Sequence, residues 1–187
     1  MVHGYSEEAL VEIPAIELLQ KLGWGFQSAK DDNLLGRDSR SDAYLPDRLR
    51  HSLETLNPGA PTAAIDSAFE EIVRDRSAQG IATANREVMT LLKEGVKVDI
   101  ADKDPGQAVE RLRVIDWDNP SNNDFMVVNQ FSVTGSLYTR RPDIVCFVNG
   151  LPWIVIELKK PGVSARTGFD DNLRTYKEDV PQLFWSN

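Results

Sequence analysis

The sequence predicts an α/β domain in which a β-sheet is flanked by helices. Two observations point there. Apolar residues recur at helical spacing through the first half, then switch near Gly95 to the alternation of strands. Late in the chain, Ile144–Val148 and Leu151–Leu158 read as two strands of almost pure Val, Ile, Leu, Phe and Trp, joined at Asn149-Gly150. Three charges interrupt that hairpin: Asp143, Glu157 and Lys159.

The chain has 187 residues, enough for one domain with a sizeable core. The expected organisation is a single unit with a helical part over about residues 1–95 and a β-rich part over about 96–187. No apolar run reaches the roughly 18 residues of a membrane span. One cysteine excludes an internal disulfide, and one cysteine with two histidines disfavours a zinc site. A cytoplasmic location, with no membrane partner, is the expectation.

Residues 6–22 read as a helix carrying Leu10, Ile13, Ile16, Leu19 and Leu22, with Pro14 either kinking it or sitting in the first turn of a helix that begins near Ile13. Gly25 to Pro46 reads as a polar loop with room for one short strand around Trp24–Phe26. Residues 46–56 follow as an amphipathic helix, and another opens at Pro61-Thr62. A further helix covers Asn85 to Lys93. Strands are expected at Val96–Val98, 108–117 and 125–133, then the hairpin, then a helix over Gly168 to Asp179. Leu183, Phe184 and Trp185 are large apolar residues at a terminus, which suggests a longer protein whose next segment covers them.

Alternation places Glu157 and Lys159 on one face of the second strand. Asp143 opens the first strand, 14 residues before Glu157, a spacing suited to pairing across the Asn149-Gly150 turn. Two buried carboxylates repel. A divalent cation relieves that repulsion, and Mg²⁺ takes such hard oxygen ligands. The alternative role for the three charges is a buried ion pair holding the hairpin.

Net charge is −8, which taken alone argues against a general nucleic-acid binder. The stretch from Arg140 to Lys177 is different. It holds seven basic residues (Arg140, Arg141, Lys159, Lys160, Arg166, Arg174, Lys177) against four acidic ones (Asp143, Glu157, Asp170, Asp171).

Pro142-Asp143 and Glu157-Leu158-Lys159 resemble the signature of the PD-(D/E)xK nuclease superfamily. The text around them, with Asp124-Phe-Met-Val-Val-Asn-Gln-Phe upstream and Leu18-Leu-Gln-Lys-Leu-Gly-Trp near the start, is similar to the N-terminal nuclease domain of the R (motor) subunit of type I restriction enzymes. That resemblance implies a mixed central β-sheet in a restriction-endonuclease-like core and Mg²⁺-dependent cleavage of double-stranded DNA. It implies Asp143 and Glu157 as metal ligands and Lys159 as the catalytic lysine. It further implies an acidic metal ligand from the first helix, best matched by Glu12 and next by Glu8. The family's Gln-x-x-x-Tyr pair falls on Asn172 and Tyr176, with Asn in place of Gln. Arg174 and Lys177, on the same helix, are candidate phosphate contacts.

The family implies methylation (M) and specificity (S) subunits as partners. ATP would serve a motor region absent from this chain, which has no G-x-x-x-x-G-K-[ST] loop. Two alternatives are a different PD-(D/E)xK nuclease of repair or recombination, and a non-catalytic assembly module that retains the fold.

Overall fold

The computed structural model describes residues 8–99 and 109–187, with residues 8, 9, 33 and 109 described through their backbone alone. Its helices are α1 (Ile13–Lys21), α2 (Pro46–Leu56), α3 (Thr62–Val73), α4 (Ile81–Glu94), α5 (Ala165–Thr167) and α6 (Arg174–Asp179). Its strands are β1 (Gly25–Ser28), β2 (Val96–Asp99), β3 (Val109–Leu112), β4 (Phe125–Asn129), β5 (Val133–Thr134), β6 (Thr139–Arg140), β7 (Ile144–Val148) and β8 (Leu151–Ile156). The chain is therefore mixed α/β. No helix among the described residues is long and apolar enough to cross a membrane.

The main sheet has four strands in the order β1-β4-β7-β8. β1 runs parallel to β4, and the other pairings are antiparallel. The sheet is thus mixed, and its first strand comes from the helical half of the sequence. Every residue of β7 is buried, which is why its sequence is a continuous apolar run rather than an alternating one.

Two layers cover the sheet. Ile16 of α1, helped by Ala15 and Leu19, packs on Val127, Ile144 and Cys146. Tyr176, Val180, Leu183 and Phe184 pack on Met126, Val128, Val145 and Phe147 across the other face. Leu183 and Phe184 are buried within this chain, and Trp185 is half-buried. A third cluster gathers α2, α3, α4, β2 and β3 around Val148 and Leu151, at the turn end of the hairpin.

The turn itself is pinned. Asn149 and Gly150 both have positive φ, 50° and 80°, as a two-residue hairpin loop of this hand requires. The Asn149 side chain accepts from the Asp124 N–H and donates to the Val114 carbonyl. The Gly150 carbonyl accepts from the Leu45 N–H at 2.8 Å. A β-carbon on Gly150 would fall 2.6 Å from the Leu45 carbonyl oxygen, so only glycine fits.

Several expected elements change shape. The N-terminal helix is two pieces, a π-helical turn over Glu8–Glu12 and then α1, with Pro14 in its first turn. Its start at residues 6–7 lies outside the described residues. Leu10, Ile13, Leu18 and Leu22 are exposed, so the inward stripe is narrower than the apolar spacing suggests. The strand expected over 108–117 stops at Leu112, because the Asn57 side chain takes both the N–H and the carbonyl of Arg113, and the Asp116 carboxylate then turns the chain by accepting the N–H groups of Asp118 and Asn119; residue 108 is outside the described set. The strand over 125–133 breaks at Gln130, whose φ is 56°. The last helix is π-helical over Gly168–Leu173 before α6 begins.

Candidate active site

The hairpin register decides whether Asp143 and Glu157 meet. Val148 pairs with Leu151 and Phe147 with Pro152, but Cys146 pairs with Ile154. Trp153 is the extra residue of a β-bulge. Beyond it Ile144 pairs with Ile156, so Asp143 continues opposite Glu157. A regular ladder from a two-residue turn would set Asp143 against Ile156 and send Glu157 to the other face. Pro152, which has no N–H to give a ladder, suits the edge strand beside the bulge. Trp153 packs in the third cluster, its ring 5.7 Å from that of Trp117.

Two hydrogen bonds lock the pair. The Leu158 N–H donates to Asp143 Oδ2 at 2.8 Å, and the Asp143 N–H donates to Glu157 Oε2 at 3.4 Å. The following helix supplies the rest. Tyr176 Oη donates to Glu157 Oε1 at 2.7 Å, and Asn172 Nδ2 donates to the same oxygen at 2.7 Å. Lys159 Nζ donates to Asn172 Oδ1 at 3.2 Å. The Asn172 amide thus bridges the ammonium and the carboxylate. Its short side chain reaches both. Gly168 of the same segment lies beside them, where a β-carbon would meet Lys159 Cε at 3.4 Å and Glu157 Cβ at 3.6 Å, ordinary contact distances.

Burial pushes the Glu157 carboxyl above the usual carboxylate range. The Tyr176 hydrogen bond pulls it back, and the Asp143 charge pushes it up again. Burial also raises the Tyr176 phenol, and its bond to Glu157 adds to the effect. Tyr176 is therefore a neutral donor.

Glu12 is buried at the end of β4, the strand next to Asp143. Its two oxygens accept from Asn129 Nδ2 at 2.6 Å and Gln130 Nε2 at 2.9 Å. The Gln130 N–H in turn donates to the Asp143 carbonyl at 2.8 Å. The structure thus brings Glu12 to the strand beside Asp143, tied to amides. Among the described residues no group of three or more His, Cys, Asp or Glu is gathered to hold a metal ion. The side chain of Glu8 lies outside the described residues.

Arg174 and Lys177 are exposed on the helix that carries Tyr176. Lys177 Nζ lies 5.8 Å from the Phe184 ring centroid. Neither is hydrogen-bonded to Asp143, Glu157 or Lys159. Asn129, Gln130 and Gly168 are the site residues the sequence reading missed. The signal for the first two was present, as two adjacent amides inside an apolar strand.

The family described as "Type I restriction enzyme R protein N terminus" matches residues 4–187. The chain is 31% identical over 187 residues to the type I restriction enzyme HindI endonuclease subunit of Haemophilus influenzae, covering 95% of this chain and 17% of that protein. It is 29% identical over 187 residues to the putative type I restriction enzyme MjaIXP endonuclease subunit of Methanocaldococcus jannaschii, covering 96% of this chain and 18% of the relative. A type I restriction enzyme EcoprrI endonuclease subunit of Escherichia coli is 29% identical over 130 residues, 70% of this chain and 39% of the relative. This chain spans less than a fifth of the length of the first two relatives. By the family match, which runs nearly end to end, the chain belongs to the N-terminal family of type I restriction enzyme R proteins.

Proposed function

We propose that this chain is an endonuclease domain of PD-(D/E)xK type that hydrolyses DNA phosphodiester bonds with Mg²⁺, within the R subunit of a type I restriction enzyme. The observation that carries the reading is the bulged register, which places Asp143 opposite Glu157 with Lys159 held beside them.

The donor set fits a hard divalent cation. Asp143 and Glu157 offer carboxylate oxygens from adjacent strands, and Glu157 is a half-buried carboxyl destabilised by its neighbour's charge. When bound, Mg²⁺ supplies positive charge to a phosphoryl oxygen and makes a bound water more acidic. The protein's own groups do the positioning. Tyr176 and Asn172 fix one oxygen of Glu157, which leaves Oε2 on the Asp143 side. Lys159 projects its ammonium toward the same end of the hairpin, where it orients the attacking water and meets charge developing on the phosphate. Asn172 keeps that ammonium from collapsing onto Glu157. Glu12, its two oxygens held by Asn129 and Gln130, would add negative charge toward the same ion.

Double-stranded DNA is the substrate in this reading. Methylation and specificity subunits would be the partners, the cytoplasm the compartment, and ATP would belong to the motor region. The test is Lys159→Ala in the complete protein with its partners, scored as plasmid linearisation. Loss of a positioned group of this kind costs roughly 10²–10⁴-fold in rate. Cleavage at the wild-type rate would remove the site assignment.

A further inference from the structure

The β5–β6 hairpin leads straight into the site. Val133 pairs with Arg140 and Thr134 with Thr139, and the tip is Gly135-Ser136-Leu137-Tyr138. After Arg140 the chain passes through Arg141 and Pro142 to Asp143. From Tyr138 to Asp143 is five residues, at most roughly 18 Å of extended chain. That is about half of one turn of duplex DNA, which is roughly 34 Å.

The base of this hairpin is rigid. The Thr134 N–H donates to the Arg40 carbonyl at 2.8 Å, and Gln182 Nε2 donates to the Thr134 carbonyl at 2.9 Å. The Thr134 and Thr139 hydroxyls are 2.8 Å apart. Arg140 forms an ion pair with Asp179 at 2.5 Å. Gly135 lies so close to α6 that a β-carbon would overlap the Asp179 carbonyl oxygen. Yet the two largest tip side chains are left in solvent: Leu137 is 82% exposed and Tyr138 54%.

An apolar residue held out on a fixed base is pre-organised for a partner. The charges beside it say which kind. The Arg140 guanidinium lies 5.3 Å from the Tyr138 ring centroid. Arg141 is exposed and has no ion pair among the described residues. The segment after Lys159 carries a similar set, with exposed Lys160, Val163 and Phe169 and with Arg166 paired to Asp170. Aromatic and apolar side chains interleaved with arginines and lysines suit nucleic acid, where stacking or wedging is combined with phosphate contact.

We propose that Leu137 and Tyr138 form a DNA-contacting wedge that enters a groove of the duplex next to the scissile phosphate, with Arg141 on the adjoining backbone. The wedge holds the duplex in place for Asp143 and Glu157; it is a positioning element, and it rests on the nuclease reading above.

The test places a photo-crosslinking amino acid at position 137, or at Leu34 as a control, in the complete protein with a labelled duplex. Leu34 is 63% exposed and lines a cavity with Asn123 and Asp124, near the Asn149-Gly150 turn at the far end of the β7–β8 hairpin. Crosslinking at 137 is expected to exceed that at 34 at least fivefold. Leu137→Ser with Tyr138→Ala is expected to raise the DNA concentration for half-maximal cleavage roughly tenfold, the size of one lost stacking contact, with a smaller change in maximal rate. Equal crosslinking at both positions and an unchanged concentration dependence, in a protein that still cuts, would overturn the wedge alone. A wild-type protein that neither binds nor cuts DNA would overturn the nuclease reading and the wedge with it.

Discussion

The Tyr176 hydroxyl donates a 2.7 Å hydrogen bond to Glu157 Oε1, across a gap of 19 residues from a strand to the helix that covers it. Burial works against ionisation of Glu157, and this bond works for it. The phenol itself is pushed up by burial, so it stays protonated and stays a donor through the range in which Glu157 titrates.

Tyr176→Phe removes the donor and leaves the ring. Glu157 then has less to hold its charge, so its carboxyl titrates at still higher pH. The expected shift is upward, because the one hydrogen bond from Tyr176 that favours the charged form is lost. Carbon-13 NMR titration of the Glu157 carboxyl measures it directly. In the complete protein the acid limb of the cleavage profile moves the same way. An acid limb that stays in place would deny Glu157 its role.

Glu157→Gln makes the opposite trade. Because the folded-state pKa of Glu157 is raised, its contribution to stability is full below the unfolded-state pKa and is lost as pH rises through the folded one. A glutamine is neutral at every pH and still offers an oxygen to Tyr176 and Asn172. Without divalent ions, the variant is expected to be more stable than wild type by about 1 kcal/mol at neutral pH. For a domain of this size that is roughly 2–4 °C in Tm. The gap should close as pH falls toward 4. A thermal-melt series across pH 4–8 checks it, and a variant less stable at neutral pH would contradict the sign.

What the sequence made legible, and what it hid, follows from the range of the interactions. The hairpin and α2 were readable because they depend on neighbours in sequence, and the same local rules narrowed Pro14 to a kink or a first turn, of which the structure has the second. Asp143, Glu157 and Lys159 stood out because charge is rare in such strands. The bulge at Trp153 left no local mark. Residues 153–156 are apolar on both faces, so alternation could not fix the register. The membership of β1 in the sheet was hidden as well, since its partner β4 lies 101 residues away. The π-helical turns over Glu8–Glu12 and Gly168–Leu173 were read as ordinary helix, because a local period does not tell the two apart. Both turns present a site side chain, Glu12 and Asn172, and such turns occur often at functional sites.

Divalent ions should bind where the two carboxylates oppose each other. Mn²⁺ or Mg²⁺ at about ten times its Kd would stabilise the folded chain by about 1.4 kcal/mol, roughly 3–6 °C in Tm. Asp143→Asn should abolish the shift, because one carboxylate is lost and the repulsion that the ion relieves is lost with it. Glu12→Gln should weaken the shift without removing it, since Glu12 is already satisfied by Asn129 and Gln130. An undiminished shift in Asp143→Asn would place the ion elsewhere.

The bulge predicts an asymmetry between losing and gaining a residue in β8. Deleting Trp153 leaves Phe147 against Pro152 and Cys146 against Ile154, now as a regular ladder, so Asp143 still faces Glu157. The cost is lost packing against Trp117, less than the about 3–5 kcal/mol of a fully buried aromatic because Trp153 is half-buried. An alanine inserted between Val155 and Ile156 keeps Trp153 but adds a second extra residue, which turns Glu157 to the face covered by Ile16. Disulfide capture between Asp143→Cys and Glu157→Cys reads the register without any need for activity, since directly opposed residues have the Cα separation a disulfide requires. Cys146 is fully buried, and burial pushes its thiol up to about 11, so it does not compete. The disulfide should close in the parent and in the deletion, and fail in the insertion. Closure in the insertion at the parental rate would show that the register is set by something other than the bulge.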